Sequence, residues 1–338
     1  MSLAAMAQDH AASGEEFRGE ARKVLSREEL LPLTQLSAWR STLAIFQTLV
    51  VLTAVIGAAI YTGSLIAMGL AVILIAPLQH ALFILVHEAA HYRLFEMRWL
   101  NDFVGRLLGM AGGISMCTYR VIHRLHHNHL YGPNDPDIAL HGGYPRGKAY
   151  LLKKLGKDLL GLSAYKNYGY FFGNPAINTD SDTTLKPLND TSPHLRRAAR
   201  QDRWLVAAFH LGMPVVMFAV GWGWHYLLLW VLPLATGLQI ILRLRAICEH
   251  GAVSDMTSPL LAARTNHGNA VLRFFLFPHH VNYHLDHHLY PAVPHYHLPA
   301  LHEALRKKGV LQGAEVRRWP QTLGIIFATP LATTLIKP

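Results

Sequence analysis

Ser41–Val86 reads STLAIFQTLVVLTAVIGAAIYTGSLIAMGLAVILIAPLQHALFILV and contains no Asp, Glu, Lys or Arg. A helix that crosses a bilayer needs about 20 apolar residues, so this stretch holds two spans rather than one. The break falls at Tyr61–Ser64, YTGS, where Gly loosens the helix and Tyr favours the headgroup level. A second uncharged stretch, Trp204–Leu242, divides in the same way at Gly221–His225, GWGWH. Two helical hairpins follow. The expected fold class is an all-α integral membrane protein with four transmembrane helices, at about 42–60, 65–86, 204–221 and 225–243.

The rest of the chain fits that frame. Of 338 residues, 51% are hydrophobic and only 15% charged, which is apolar for a soluble protein of this length. All 31 Lys and Arg residues lie outside the two hairpins, and the short turns carry none. The positive-inside rule therefore places the N-terminal arm (1–40), the middle segment (87–203) and the C-terminal segment (244–338) in the cytosol. The expectation is one multi-pass membrane domain, 41–338, with a cytosolic helical cap and both termini cytoplasmic. The host membrane would be the bacterial inner membrane, or the endoplasmic reticulum in a eukaryote. Ser13–Leu33, SGEEFRGEARKVLSREELLPL, is charged throughout and has no signal-peptide core, so it reads as a surface arm.

The net charge of +10 suits attraction to anionic lipid, or docking of an acidic substrate carrier or electron donor. Nucleic-acid binding is not expected, because no compact basic element stands apart from the membrane. Cys117 and Cys248 fall on the cytosolic side, where thiols stay reduced, so a structural disulfide is not expected. No C-x-x-C, C-x-x-C-H or G-x-G-x-x-G pattern occurs, which leaves no haem, iron–sulfur or nucleotide module to expect in this chain.

The 22 histidines crowd at the cytosolic ends of the hairpins. HEAAH (His87, Glu88, His91) emerges from the first, and HRLHH (His123, His126, His127) follows a short apolar segment. His250, in EHG, lies just past the second hairpin, and HLDHH supplies His284, His287 and His288. On a helix, residues at i, i+3 and i+4 share one face, so each box presents its imidazoles together. HEAAH alone matches the H-E-x-x-H signature of zinc proteases, in which Glu is the general base. Nine imidazoles are too many for one ion, since a tetrahedral zinc takes about four ligands and a catalytic zinc three from the protein. They suit two metals with open positions. Spacing does not fix the metal, because imidazole also serves zinc, copper and nickel.

The hairpins, H-x-x-x-H, two H-x-x-H-H boxes and an isolated His after the last span resemble the membrane fatty acid desaturase family, whose relatives include carotenoid hydroxylases and ketolases. The resemblance covers roughly Trp39–Leu305 and extends to NDPD (Asn134–Asp137) and to NYHLDHHLYPAVPHYHLPALHEAL from Asn282. It implies that His87, His91, His123, His126, His127, His250, His284, His287 and His288 hold two iron ions. It further implies O2 as co-substrate, a membrane lipid or acyl chain as substrate, and a separate electron donor of ferredoxin or cytochrome b5 type. The first box has three intervening residues where acyl-CoA desaturases usually have four, which brings the chain nearer to acyl-lipid desaturases and carotenoid enzymes. The third box opens with His284 rather than Gln, unlike the front-end class, and no fused cytochrome b5 motif HPGG is present.

Glu88, Glu249 and Asp286 sit beside ligand positions and are expected to accept the second N–H of metal-bound histidines. Phe103–Met116, FVGRLLGMAGGISM, is too short to span and reads as interfacial, re-entrant or an ordinary amphipathic helix. His80 and His210 read as core or interfacial residues, and His129, His279, His280, His295 and His297 as outer-sphere or surface groups. The expected activity is O2-dependent desaturation of a fatty acyl chain. The alternatives are hydroxylation or ketolation on the same scaffold, an intramembrane zinc protease, and a non-enzymatic metal or haem binder or transporter.

Overall fold

A computed structural model describes residues 24–132, 134–173, 188–189 and 191–329, so most of the expected N-terminal arm lies outside the described residues. The described part of the arm forms a helix, Arg27–Thr34, opened by a capping box in which Ser26 and Glu29 bond each other's backbone.

The first hairpin is α1 (Ala38–Thr62) and α2 (Leu65–Ala90). Its turn falls where the sequence places it: Gly63 adopts φ 61° and its N–H donates to the Ala59 carbonyl, a left-handed closure that favours Gly. Of the apolar window in α2, 72% is buried, against 22% in α1. A helix apolar on every side is a core helix, and α2 packs against α1, α3 (Arg98–Ala111), α4 (Met116–His129) and the later α6 (Gly237–His250). The main core gathers Ile75, Leu85, Val86, Ile114, Met116, Ile122, Ile247 and Phe277 around it.

α3 resolves the short segment near Phe103 as an amphipathic helix. Trp99, Phe103 and Leu107 form an exposed apolar stripe at i, i+4 and i+8, while Gly105 faces inward. Gly105 permits the close approach to α2, because a Cβ there would lie 2.5 Å from that of Ala89.

The second hairpin departs from the expected boundaries. Its first arm, α5 (Pro193–Ala219), starts in a charged stretch and becomes apolar only from Trp204, and it is not among the three helical segments long and apolar enough to cross a membrane. Those three are Ala38–Thr62, Leu65–Ala90 and Gly223–His250. The charged start of α5 has a packing role: buried Asp202 accepts hydrogen bonds from Ser115 Oγ (3.0 Å) and Cys117 N (2.9 Å), at the positive end of α4. The second arm includes a π-helical turn at Leu227–Val231 and continues as α6 to His250, beyond the expected end near 243. Arg243 and Arg245 extend the helix because they turn inward onto Asp158 and Glu249 rather than ending it in water.

The cap contains a two-stranded parallel pair, β1 (Thr265–His267) and β2 (Val316–Arg318), with Thr265 opposite Val316. Beside it lie α7 (His284–Leu289) and the helix Leu298–Lys307, whose Leu285, Leu289, Leu301 and Leu305 make a second, smaller core.

Candidate metal centre

Four elements deliver the box histidines. His87 lies in the last turn of α2 and His91 just past its end; α4 carries His123, His126 and His127; His250 ends α6; α7 carries His284, His287 and His288. The C-terminal ends of α2, α4 and α6 converge here, and each brings the negative end of a helix dipole, a field that favours cations.

All nine expected histidines come together, in two sets. His87, His91, His123, His127 and His287 form one, and His126, His250, His284 and His288 the other; within each, ligand nitrogens lie within 4.8 Å of one another. The His127 and His288 rings stack at 4.1 Å and join the sets. In the first, His127 Nε2 lies 3.0 Å from His123 Nε2 and 3.1 Å from His287 Nε2. In the second, His250 Nε2 lies 3.2 Å from His126 Nε2 and 2.8 Å from His284 Nε2, and His284 lies 3.1 Å from His288.

These separations fit a metal better than a hydrogen-bond chain. One ring nitrogen either donates one proton or accepts through one lone pair, so His250 Nε2 cannot pair well with both neighbours. A cation about 2.1 Å from two nitrogens at a right angle sets them about 3.0 Å apart. His87 Nε2 and His91 Nε2 are moreover buried without hydrogen-bond partners. Each set can hold a metal ion.

The electrostatics agree with ligation through neutral rings. Burial, with Arg93 and Arg120 nearby, depresses His91 to about 3. Burial and neighbouring imidazoles hold His123, His127, His284, His287 and His288 well below the ordinary histidine value. His126 is the exception: burial opposes its charge, but the Asp135 and Asp137 carboxylates outweigh it and raise His126 to about 9. Its Nδ1 donates to Asp135 Oδ1 at 2.9 Å, which leaves Nε2 facing the second set. His250 Nδ1 likewise donates to the Ala262 carbonyl at 3.1 Å.

The three carboxylates singled out in the sequence meet different fates. Glu88 Oε1 lies 3.3 Å from His87 Nδ1, and its Oε2 accepts from His295 N at 2.8 Å. Glu249 Oε1 lies 3.7 Å from His284 Nδ1, too far for a hydrogen bond. Asp286 turns away from the box imidazoles, accepting from Thr265 Oγ1 (2.7 Å) and His302 Nδ1 (2.9 Å), because helical geometry points it opposite His284 and His287. His129, His279, His280, His295 and His297 join neither set. His80 is buried in α2, and His210 Nε2 donates to the Met110 carbonyl.

Asp135 and His141 were not assigned a role from the sequence. Both are buried, and with His126 they make a third group of potential ligands. Neither ring nitrogen of His141 has a hydrogen-bond partner. The NDPD stretch was the available signal, since an Asp-rich turn soon after a histidine box can fold back on it. Cys117 and Cys248 are both free and buried, and burial raises Cys117 to about 11.

A small pocket, with a cavity volume of about 70 Å³, opens on the second set; Phe83, Tyr119, Phe171, Arg245 and Glu249 line it together with His123, His126, His250 and His284.

The family model for fatty acid desaturase matches residues 62–320, a range that holds every box histidine. Dihydrorhizobitoxine desaturase from Bradyrhizobium elkanii is 28% identical over 234 residues, covering 67% of this chain and 64% of that protein. The aligned part therefore spans less than two thirds of the relative's length.

Proposed function

Because this chain belongs to the fatty acid desaturase family, we propose that it is an O2-dependent oxidoreductase that introduces a C=C bond into an aliphatic chain at a dinuclear iron site. The observation that carries the reading is the convergence of nine buried imidazoles into sets of five and four. Two iron ions held there would supply the dioxygen-dependent oxidation of an unactivated C–H bond, chemistry beyond any side-chain acid or base.

The chain's own contribution is to keep the rings aimed and dry and, His126 apart, neutral. Asp135 and the Ala262 carbonyl hold Nδ1 of His126 and His250, so that Nε2 of each is the atom aimed at the second set; on His126 a bound cation would take the place of the Nε2 proton. Electrons would come from a separate donor of ferredoxin or cytochrome b5 type, docking on the basic cytosolic face. An acyl chain is the substrate that the family description suggests, and the relative's name gives dihydrorhizobitoxine as what that protein acts on. Glu88 speaks against the zinc-protease reading: it is buried and tied to His295 N, whereas a general base must face the attacking water.

The test is expression of the intact chain or His126→Ala in a host without such enzymes, with mass-spectrometric profiling of lipids and organic acids. The expected result is a product lighter by two hydrogens with the intact chain only, and two irons per purified chain. A product that gains oxygen would move the reading to hydroxylation. Full activity in His126→Ala would overturn the site.

A further inference from the structure

The pocket beside the second imidazole set contains a cation that the protein leaves partly unanswered. Arg245 lies on α6 one turn before Glu249, with its side chain 12% exposed. Its Nε and Nη1 are buried without hydrogen-bond partners, and Glu249 Oε2, at 3.6 Å, is beyond hydrogen-bonding reach. The contrast with Arg243, which lines the same pocket, is informative: Asp158 engages its Nε and Nη2 in a buried pair. Asn167 is likewise bonded to Gln239, and Asp137 to Tyr170. Arg243 is therefore satisfied by its carboxylate partner, whereas Arg245, which shares a hydrogen bond with Tyr119 and lies 5.5 Å from the centre of the Phe83 ring, keeps Nε and Nη1 without an acceptor.

A pure hydrocarbon in this pocket would keep water away from the Arg245 N–H groups and give them no acceptor, which is costly for a charged donor. A carboxylate supplies that acceptor in a charge-assisted bond. The remaining wall suits a carbon chain. Phe83 packs against Tyr119 (5.2 Å between ring centres) and Phe171 (5.4 Å), and Tyr119 stacks on His123 at 5.0 Å. We propose that the substrate enters as a free carboxylic acid, its carboxylate held by Arg245 and its chain laid against Phe83, Tyr119 and Phe171 beside the imidazoles. An ester, amide or thioester of the same chain has no such charge to offer. The inference rests on the pocket being the substrate site of the proposed desaturase.

The test is calorimetric binding of octanoate and octanamide to the purified, iron-loaded full chain, with iron counted in every sample. Octanoate should bind at least about 10-fold more tightly, the discrimination expected of one charge-assisted hydrogen bond. Arg245→Gln should abolish the difference, and Arg245→Lys, which keeps the charge, should retain part of it. Equal binding of the two probes to the intact chain, or an undiminished preference in Arg245→Gln, would overturn the proposal. Two irons without a preference would leave the desaturase reading standing and remove this one. A preference in a chain that takes up no iron would show a carboxylate site at Arg245 but overturn the desaturase reading, and with it the assignment of that carboxylate as substrate.

Discussion

His126 and His127 are adjacent in sequence but serve different sets, and Asp135 is the reason. By holding Nδ1 of His126, it aims that ring at His250, while His127 turns to His123 and His287. Removing such a partner typically costs about 10–100-fold in metal affinity. Asp135→Asn should therefore weaken iron binding by that order, measured by chelator competition, with the fold kept. Asp286→Asn offers the contrast, because Asp286 bonds His302 and Thr265 instead; it should lower thermal stability and leave chelator competition nearly unchanged. Equal loss of iron affinity in both variants would remove the distinction. The sequence makes the faces of the boxes legible, since i, i+3, i+4 spacing is local. Which imidazole joins which set is not legible, because it depends on His250, Asp135 and His287 arriving from distant elements.

At the scale of elements, the position of His250 depends on how the end of α6 is fastened. Buried Arg264 donates through Nη1 to the carbonyls of Cys248 and Gly251, through Nη2 to Ala252, and through Nε to Glu315 beside β2. Nothing in the sequence marks Arg264, because its acceptors are backbone carbonyls and one carboxylate far along the chain. Removing one partner of a buried ion pair costs about 3–5 kcal/mol, so Arg264→Ala should lower the unfolding temperature markedly and reduce iron in the second set. Glu315 adds a pH signature. Burial opposes its charge, but Arg317, Arg264 and Ser254 outweigh burial and depress it from 4.5 to about 2. A depressed carboxylate stabilises the fold fully above its unfolded value and loses that contribution as pH falls through the folded one. The difference in unfolding temperature between the intact chain and Glu315→Gln should thus be largest above about pH 5 and shrink toward pH 2. A difference that does not vary with pH would mean that the pair contributes nothing through its charge.

For the whole molecule, three helical segments are long and apolar enough to cross a bilayer, and the histidine sets limit the topologies open to them. His87 ends α2 and His250 ends α6, yet they belong to adjoining sets, so in any spanning topology both must lie on one side of the membrane. The number of crossings between them must then be even. Gly223–His250 is long and apolar enough to cross, and a single crossing would put His250 on the wrong face. Among the described residues, the helix available for the return passage is α5, whose 27 residues extend about 40 Å and become apolar from Trp204. The charged first turns of α5 obscure it as a span in composition, but parity argues that both arms of the second hairpin cross or neither does. Cysteine labelling in intact cells decides between these. In a Cys117→Ser background, with Cys248 buried, an impermeant maleimide should label Ser64→Cys and Trp222→Cys from outside, and Lys308→Cys only after permeabilisation. All three positions are exposed in the fold. If Trp222→Cys instead needs permeabilisation, the second hairpin lies along the cytosolic interface, α1 and α2 alone anchor the chain, and the histidine sets remain on one face by the other even count.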